Sequence, residues 1–257
     1  MISSQTAKEA LKSIIWEDGK IEPVVAGPYR YQIVVHCSPR GRQKAAFSNG
    51  EFNYFGYVRC VNGKGEWTSR GSNVVPVLPD GRIIMVVEQR PIHGLYSELL
   101  PAKVEFENGT AFDLGDFGSL EFPGGAVEPG ESITIGALRE LWEETGTADQ
   151  RAVLYQRLRP IAAFGSDIAG LNYYFVAYLS GISFDDYTPG DGGLNVLALT
   201  EAEVEKNIRS GVIASGQAAL LSWPFYQEVK RARLDKRFLA ELTASGYLKV
   251  EEVLIKR

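Results

Sequence analysis

Residues 124–146 read GGAVEPGESITIGALRELWEETG, and the fold follows from how this stretch must behave. The glycines and proline of GGAVEPG make a loop. Ser132 is placed to cap a helix, because its hydroxyl can accept from the free N–H groups of the first turn. Gly146 ends that helix, since the residue after the last turn must often adopt left-handed geometry. The spacing therefore predicts loop, helix over 132–145, and loop. At about 100° per residue, Glu140, Glu143 and Glu144 fall within an arc of roughly 100°. Gly136 lies on the same arc one turn earlier and leaves it open. Ile135, Leu138, Leu141 and Trp142 lie opposite, as anchors to a sheet.

Like charges on one helical face repel unless a cation compensates. An oxygen-rich cluster of this kind suits a hard divalent ion such as Mg²⁺ or Mn²⁺. Arg139 stands beside the cluster, where it can pair with a carboxylate and fix its orientation. An acidic helix face is more often merely solvated. Here the Gly-rich loop, Glu131 and Arg139 at fixed offsets favour the metal reading.

The stretch resembles the Nudix box: Gly, five residues, Glu, seven residues, then Arg-Glu-aliphatic-x-Glu-Glu-x-Gly-aliphatic. Gly125, Glu131, Arg139, Glu140, Leu141, Glu143, Glu144 and Gly146 match, and Thr147 departs at the last, aliphatic position. The resemblance implies an α/β/α sandwich with a mixed sheet and a magnesium-dependent hydrolase of pyrophosphate bonds, with Mn²⁺ as substitute. Carried over residue by residue, Glu140, Glu143, Glu144 and the Gly124 carbonyl would hold metal, while Glu131 and Arg139 would stabilise the loop and helix. The bound metal would neutralise the diphosphate and activate the attacking water.

Outside the box, VVEQRP at 86–91, LEFPGG at 120–125 and IRSGVIASGQAALLSW at 208–223 resemble the branch that cleaves ADP-ribose and nucleotide sugars. That implies a nucleoside monophosphate and a sugar phosphate as products. Hydrolysis of triphosphates or dinucleotides is the alternative within enzymes. A nucleotide-sensing regulator, usually with a damaged box, is the alternative outside them. Arg90 could pair with a phosphate and Glu121 could meet metal or substrate, or each could be an ordinary surface or strand charge. FGSDIAG at 164–170, with Asp167, occupies the place of a substrate loop. Tyr173 and Tyr174 could stack on a base, although strand alternation sends at least one to the core. For the general base, relatives often use an acidic residue on a mobile loop. Here that loop is 184–193, with Asp185, Asp186 and Asp191; Asp186 is the candidate, and turn formation is the competing role.

Working outward, NVVPVL, Pro79-Asp80-Gly81 and RIIMVVEQR read as two strands around a turn. Residues 91–118 read as a long excursion with little periodicity. Strands are expected at 152–163, 171–179 and NVLAL, and helices at 200–210, 215–231 and 235–244. Residues 5–16 have helical periodicity. YRYQIVVHC and EFNYFGYVRCV predict an N-terminal antiparallel sheet. The expected division is an appendage over 1–70, a Nudix domain over 71–232 and a tail over 233–257. In placement the appendage resembles the extra sheet through which related enzymes pair, so a homodimer is expected.

Of the 257 residues 45% are hydrophobic, enough for a sizeable core. The net charge of −5 argues against non-specific nucleic-acid binding, which needs a basic surface, but not against a small phosphorylated ligand. Two cysteines, Cys37 and Cys60, have no metal-ligand spacing and read as thiols of a reducing compartment, with a disulfide as the alternative. The start lacks a signal-peptide pattern, and no apolar run approaches the ~18 residues of a membrane span. A cytoplasmic protein is expected.

Overall fold

The computed structural model describes residues 20–26, 29–37, 43–44, 51–52, 54–61, 70–90, 98–147, 149–162, 170–181 and 195–256. The chain divides into two compact units, Met1–Ser69 with Ala162–Gly170, and Arg70–Ile161 with Leu171–Arg257. The predicted helix at 5–16 lies outside the described residues.

In the first unit, β1 (Lys20–Ala26), β2 (Tyr29–Cys37) and β5 (Tyr54–Val61) form an antiparallel sheet in that order. Short pairs β3 (Gln43–Lys44) and β4 (Glu51–Phe52) add a second ladder. The expected antiparallel strands are present, and β1 is an addition. Its Pro23 obscures the pattern in sequence, yet β1 is an edge strand of this sheet, where a missing N–H is tolerated. Cys37 pairs with Tyr54 and Cys60 with Tyr31, six rungs apart, roughly 20 Å along the ladder.

The second unit is built on a mixed nine-stranded sheet. β6 (Arg70–Val77) and β7 (Ile83–Gln89) are the predicted hairpin pair. Asp80 accepts from the N–H and guanidinium of Arg82, and Gly81 takes φ +89 in the turn. The two strands meet in register only at Val77 and Ile83 and then diverge. Pro76, which has no N–H to offer, lies where they part. β7 is flanked by β10 (Gly118–Glu121) and β15 (Asn195–Leu199), both antiparallel. β6 carries β11 (Gly124–Ala126) antiparallel on one side and β14 (Leu171–Ser180) parallel on the other. β12 (Gln150–Arg157) follows, and the short β13 (Ile161–Ala162) also pairs with β14.

Both faces of this sheet are apolar, as period-2 alternation requires of strands covered on two sides. On one face Val74, Ile84, Leu154, Phe175 and Ala177 pack against Ala137 and Leu141 of helix α1 (Ile133–Thr145). On the other, Val75, Met85, Tyr174 and Val176 pack with Trp223, Phe225, Tyr226 and Val229. Those four belong to α3 (Trp223–Leu234), which is preceded by α2 (Glu201–Arg209) and a π-helical turn, Gln217–Ser222. The sandwich is thus the α/β/α arrangement anticipated. Among the described residues no helix is long and apolar enough to cross a membrane.

Two segments are more ordered than their sequence suggested. The part of the excursion from residue 98 onward holds a hairpin of β8 (Lys103–Glu105) and β9 (Ala111–Asp113). It is latched to α2: Asn207 exchanges hydrogen bonds with both backbone groups of Glu105 (3.2 and 3.1 Å), and Glu203 accepts from the Glu107 N–H (2.7 Å). Past α4 (Lys236–Ala244), β16 (Leu248–Ile255) pairs with β12 over its whole length and seals the core with Leu248 and Ile255.

Candidate active site

α1 is fixed at both ends as its sequence implied. The Ser132 hydroxyl accepts from the Ile135 N–H (3.2 Å), and Gly146, at φ 71, returns its N–H to the Trp142 carbonyl (2.8 Å). Ala137, Leu141 and Thr145 are buried, and Glu140 and Glu144 face the β11 backbone while Glu143 lies more exposed beside Arg139. Ile135 is a correction: it is 60% exposed and anchors nothing. Gly136 is another. It is not an opening beside the carboxylates but a buried contact, where an added Cβ would lie 2.9 Å from Glu131 Oε2 and 3.0 Å from Val127. A side chain there would have to displace the ends of Glu131 and Val127 in the loop before the helix.

The pair Gly124-Gly125 brings backbone against the helix carboxylates. A Cβ on Gly125 would sit 2.6 Å from the Glu140 carboxylate, and one on Gly124 would strike the Ser72 carbonyl. The Gly124 N–H donates to Glu144 Oε2 (2.9 Å). Arg139 holds the other half of the cluster. Its Nη1 donates to Glu140 (2.8 Å) and Glu143 (2.9 Å), its Nε and Nη2 to Glu131 (3.1 and 3.2 Å), and Nη2 also to the Ala126 carbonyl (2.8 Å). Glu131 in turn accepts from the Glu128 N–H, closing the loop on itself. Arg139 therefore links loop and helix through three carboxylates and the Ala126 carbonyl.

Glu144 looks the other way, toward Glu88 at the end of β7. Glu88 pairs with Arg90 (2.7 Å), and Arg90 grips Glu121 through both Nε and Nη2 (3.0 Å each). Burial pushes the Glu144 carboxyl up to about 9, with the negative charge of Glu88 adding to it. Burial likewise raises Glu88 and Glu140. Burial works against Glu131 also, but the Arg139 guanidinium holds that carboxyl below its usual range. Arg90 and Arg139 stay firmly protonated against their own burial, through the carboxylates around them.

Most of the sequence-derived site residues thus converge: Glu131, Arg139, Glu140 and Glu143 in one network, and Gly124, Glu144, Arg90 and Glu121 in an adjoining one. Asp167 and the loop aspartates Asp185, Asp186 and Asp191 lie outside the described residues. Tyr174 is buried in the core, and Tyr173 packs partly against it from the α1 face. Thr147, the one departure from the box, is buried with its hydroxyl on that of Thr145 (2.8 Å), a packing position as its place implied. Glu88 was not singled out by sequence. Its signal was parity alone, since a residue two before Arg90 on a strand shares its face.

As the side chains stand, no three acidic, histidine or cysteine groups among the described residues converge on one point. Arg139 and the Gly124 N–H engage oxygens that a cation would otherwise draw in. The chemistry of the donor set nonetheless fits a hard cation, because buried carboxylates that raise one another's proton affinity are relieved by a positive ion at the same place.

No curated protein matches the chain. Among solved structures an ADP compounds hydrolase is similar, at 17% identity and a TM-score of 0.48, covering 86% of this chain and 98% of that one. The NUDIX domain family matches residues 69–207, more than half of the chain and inclusive of the whole site just described. The chain belongs to the Nudix family of hydrolases.

Proposed function

We propose that this Nudix hydrolase cleaves the pyrophosphate linkage of a nucleoside diphosphate derivative, ADP-ribose or a nucleotide sugar, with a divalent cation bound at Glu140, Glu143, Glu144 and the Gly124 carbonyl. The observation that carries the reading is the gathering of the half-buried helix carboxylates Glu140 and Glu144 against a side-chain-free stretch of backbone, Gly124-Gly125. A bound Mg²⁺ or Mn²⁺ would supply charge neutralisation at the diphosphate and a more acidic attacking water. Around it, Arg139 and Glu131 keep the loop and helix in register. Arg90, poised between Glu88 and Glu121, is the cation that would meet a substrate phosphate, and Glu121 orients it. Asp167 is assigned to the substrate loop and Asp186 to proton removal from the attacking water. The active form is a cytoplasmic homodimer paired through the N-terminal sheet, over a domain division at about residues 70 and 232.

One panel assay tests this. With Mg²⁺ or Mn²⁺ the purified chain should release a nucleoside monophosphate and a sugar phosphate from ADP-ribose or a nucleotide sugar, and do nothing in chelator. Glu144→Gln should cut turnover by orders of magnitude while leaving the fold intact. Preference for triphosphates or dinucleotides would replace the substrate assignment. Full activity in chelator would end the metal one. Replacing Asp185, Asp186 and Asp191 singly by Asn should find one variant that loses most of its kcat with little change in KM; three near-normal variants return the loop to a structural role.

A further inference from the structure

The face of the main sheet opposite α1 carries amides among its apolar side chains. Strand alternation puts Asn73 on the side of Val75, and Asn172 on the side of Tyr174. Over these two strands the chain makes its π-helical turn, Gln217–Ser222. Gln217 opens that turn and reaches both strands. Its Oε1 accepts from Asn73 Nδ2 (2.9 Å) and from Asn172 Nδ2 (2.7 Å).

Those two bonds use both lone pairs of the Gln217 oxygen and so fix which way its amide faces. The Nε2 group is turned away from the strands, and has no partner among the described residues. Asn172 is buried, whereas Asn73 and Gln217 are half-buried at the border with solvent. Space adjoins them, for a Cβ added to Gly216 would meet nothing within 4 Å. A π turn is rare and occurs mostly at functional sites, because it gives up the regular helical ladder.

The amides also stand close to the diphosphate site. Asn73 lies directly opposite Gly124 in the pairing of β6 with β11. Opposed Cα atoms are about 5 Å apart, which puts Asn73 next to the backbone whose carbonyl is assigned to the cation. In a nucleoside diphosphate derivative such as ADP-ribose, the groups joined to the diphosphate are sugars. A sugar hydroxyl both accepts and donates, and an amide N–H beside an amide oxygen offers the matching pair.

We propose that Gln217 and Asn73 bind the hydroxyls of a sugar joined to the substrate diphosphate, with Gln217 Nε2 donating and Asn73 Oδ1 accepting. Asn172 acts as a positioning residue that holds the Gln217 amide in the required orientation. This rests on the pyrophosphatase reading above and deepens it, by making the sugar hydroxyls a condition of tight binding.

The test is steady-state hydrolysis in Mg²⁺ of ADP-ribose and two analogues. One lacks both ring hydroxyls of the adenosine ribose, and the other lacks the corresponding hydroxyls of the distal ribose. The intact protein should show a KM at least about tenfold higher for one analogue with kcat little changed, and that analogue identifies the sugar. Gln217→Glu keeps an oxygen for both asparagines but replaces the outward N–H groups with an acceptor. Its KM for ADP-ribose should rise about tenfold or more and approach its KM for the sensitive analogue, so that the preference disappears. The analogue comparison on the intact protein decides the matter alone if that variant fails to fold. Equal KM for all three substrates would overturn the proposal and leave the pyrophosphatase reading standing. So would a folded variant that keeps the preference of the intact protein. If a nucleotide sugar is cleaved in place of ADP-ribose, its matched deoxy analogues are read by the same criteria. Hydrolysis of neither would remove both readings.

Discussion

Gly125 illustrates how much of this site is decided by single residues. Its missing side chain is the space the Glu140 carboxylate occupies, so an added methyl group must displace that carboxylate or the strand. Gly125→Ala should therefore lower kcat by about 10²-fold, the usual consequence of moving a reacting group by roughly 1 Å. Its melting temperature should change little, because Gly125 is not in a left-handed conformation. Wild-type kcat in that variant would remove Gly125 from the account. Glu144 gives a second residue-scale expectation. Its carboxyl is pushed up to about 9 by burial and by Glu88, while the unfolded chain titrates near 4.5. A group whose folded value is raised contributes stability that is complete below the unfolded value and lost as pH rises through the folded one. Without metal, the melting temperature should fall as pH rises from about 5 to about 9. Glu131 and Glu201, held low, act oppositely but only as pH falls below the ordinary carboxylate range. Excess Mn²⁺, which binds the ionised form, should flatten the slope. Thermal melts in chelator that stay level over that window would contradict the assignment. At this scale the sequence was most legible where chemistry is periodic: box spacing placed Glu131, Arg139, Glu140, Glu143 and Glu144 together. Glu88 escaped because parity gives a face and not a neighbour.

At the scale of elements, legibility followed length and locality. α1, β2, β7, β14 and the Thr200-capped α2 carry their own periodicity, caps or turns, and they fall where those signals put them. The β8–β9 hairpin does not. Its strands are three residues each, shorter than any window that reveals alternation, and its order comes from Glu203 and Asn207, about a hundred residues away. That distance is why residues 98–118 read as an excursion. Asn207 is buried and satisfies both backbone groups of Glu105, so Asn207→Ala would strand two polar groups at once. A loss of about 1–3 kcal/mol is expected in urea unfolding. The hairpin amides should also exchange faster with solvent than those of β7. Unchanged stability would mean the hairpin is held by Val104 and its apolar neighbours instead. Ile135 and Gly136 show the complementary limit: a helical wheel gives angles, but the loop that packs on Gly136 and the solvent over Ile135 are facts of tertiary structure.

For the molecule as a whole, the sequence conveyed the sandwich, since it rests on runs of strand and helix signals in order. The proposed pairing through the N-terminal sheet predicts twice the chain mass by light scattering at working concentration; an active monomer would refute it. The closure of the main sheet was the least legible feature, because β16 alternates weakly, with charged residues along its exposed side. Yet Leu248 and Ile255, at its two ends, belong to different faces of the core. Synthesis runs from the N-terminus, so the box, its helix and every carboxylate of the site leave the ribosome long before the strand that completes the sheet beneath them. Until residue 255 has emerged, β12 presents an open edge and the core lacks a plug at each end. A ribosome that stalls or a message cut short within the codons of β16 would thus yield a chain with every described carboxylate of the candidate site and no finished interior, one fit for a protease and not for turnover.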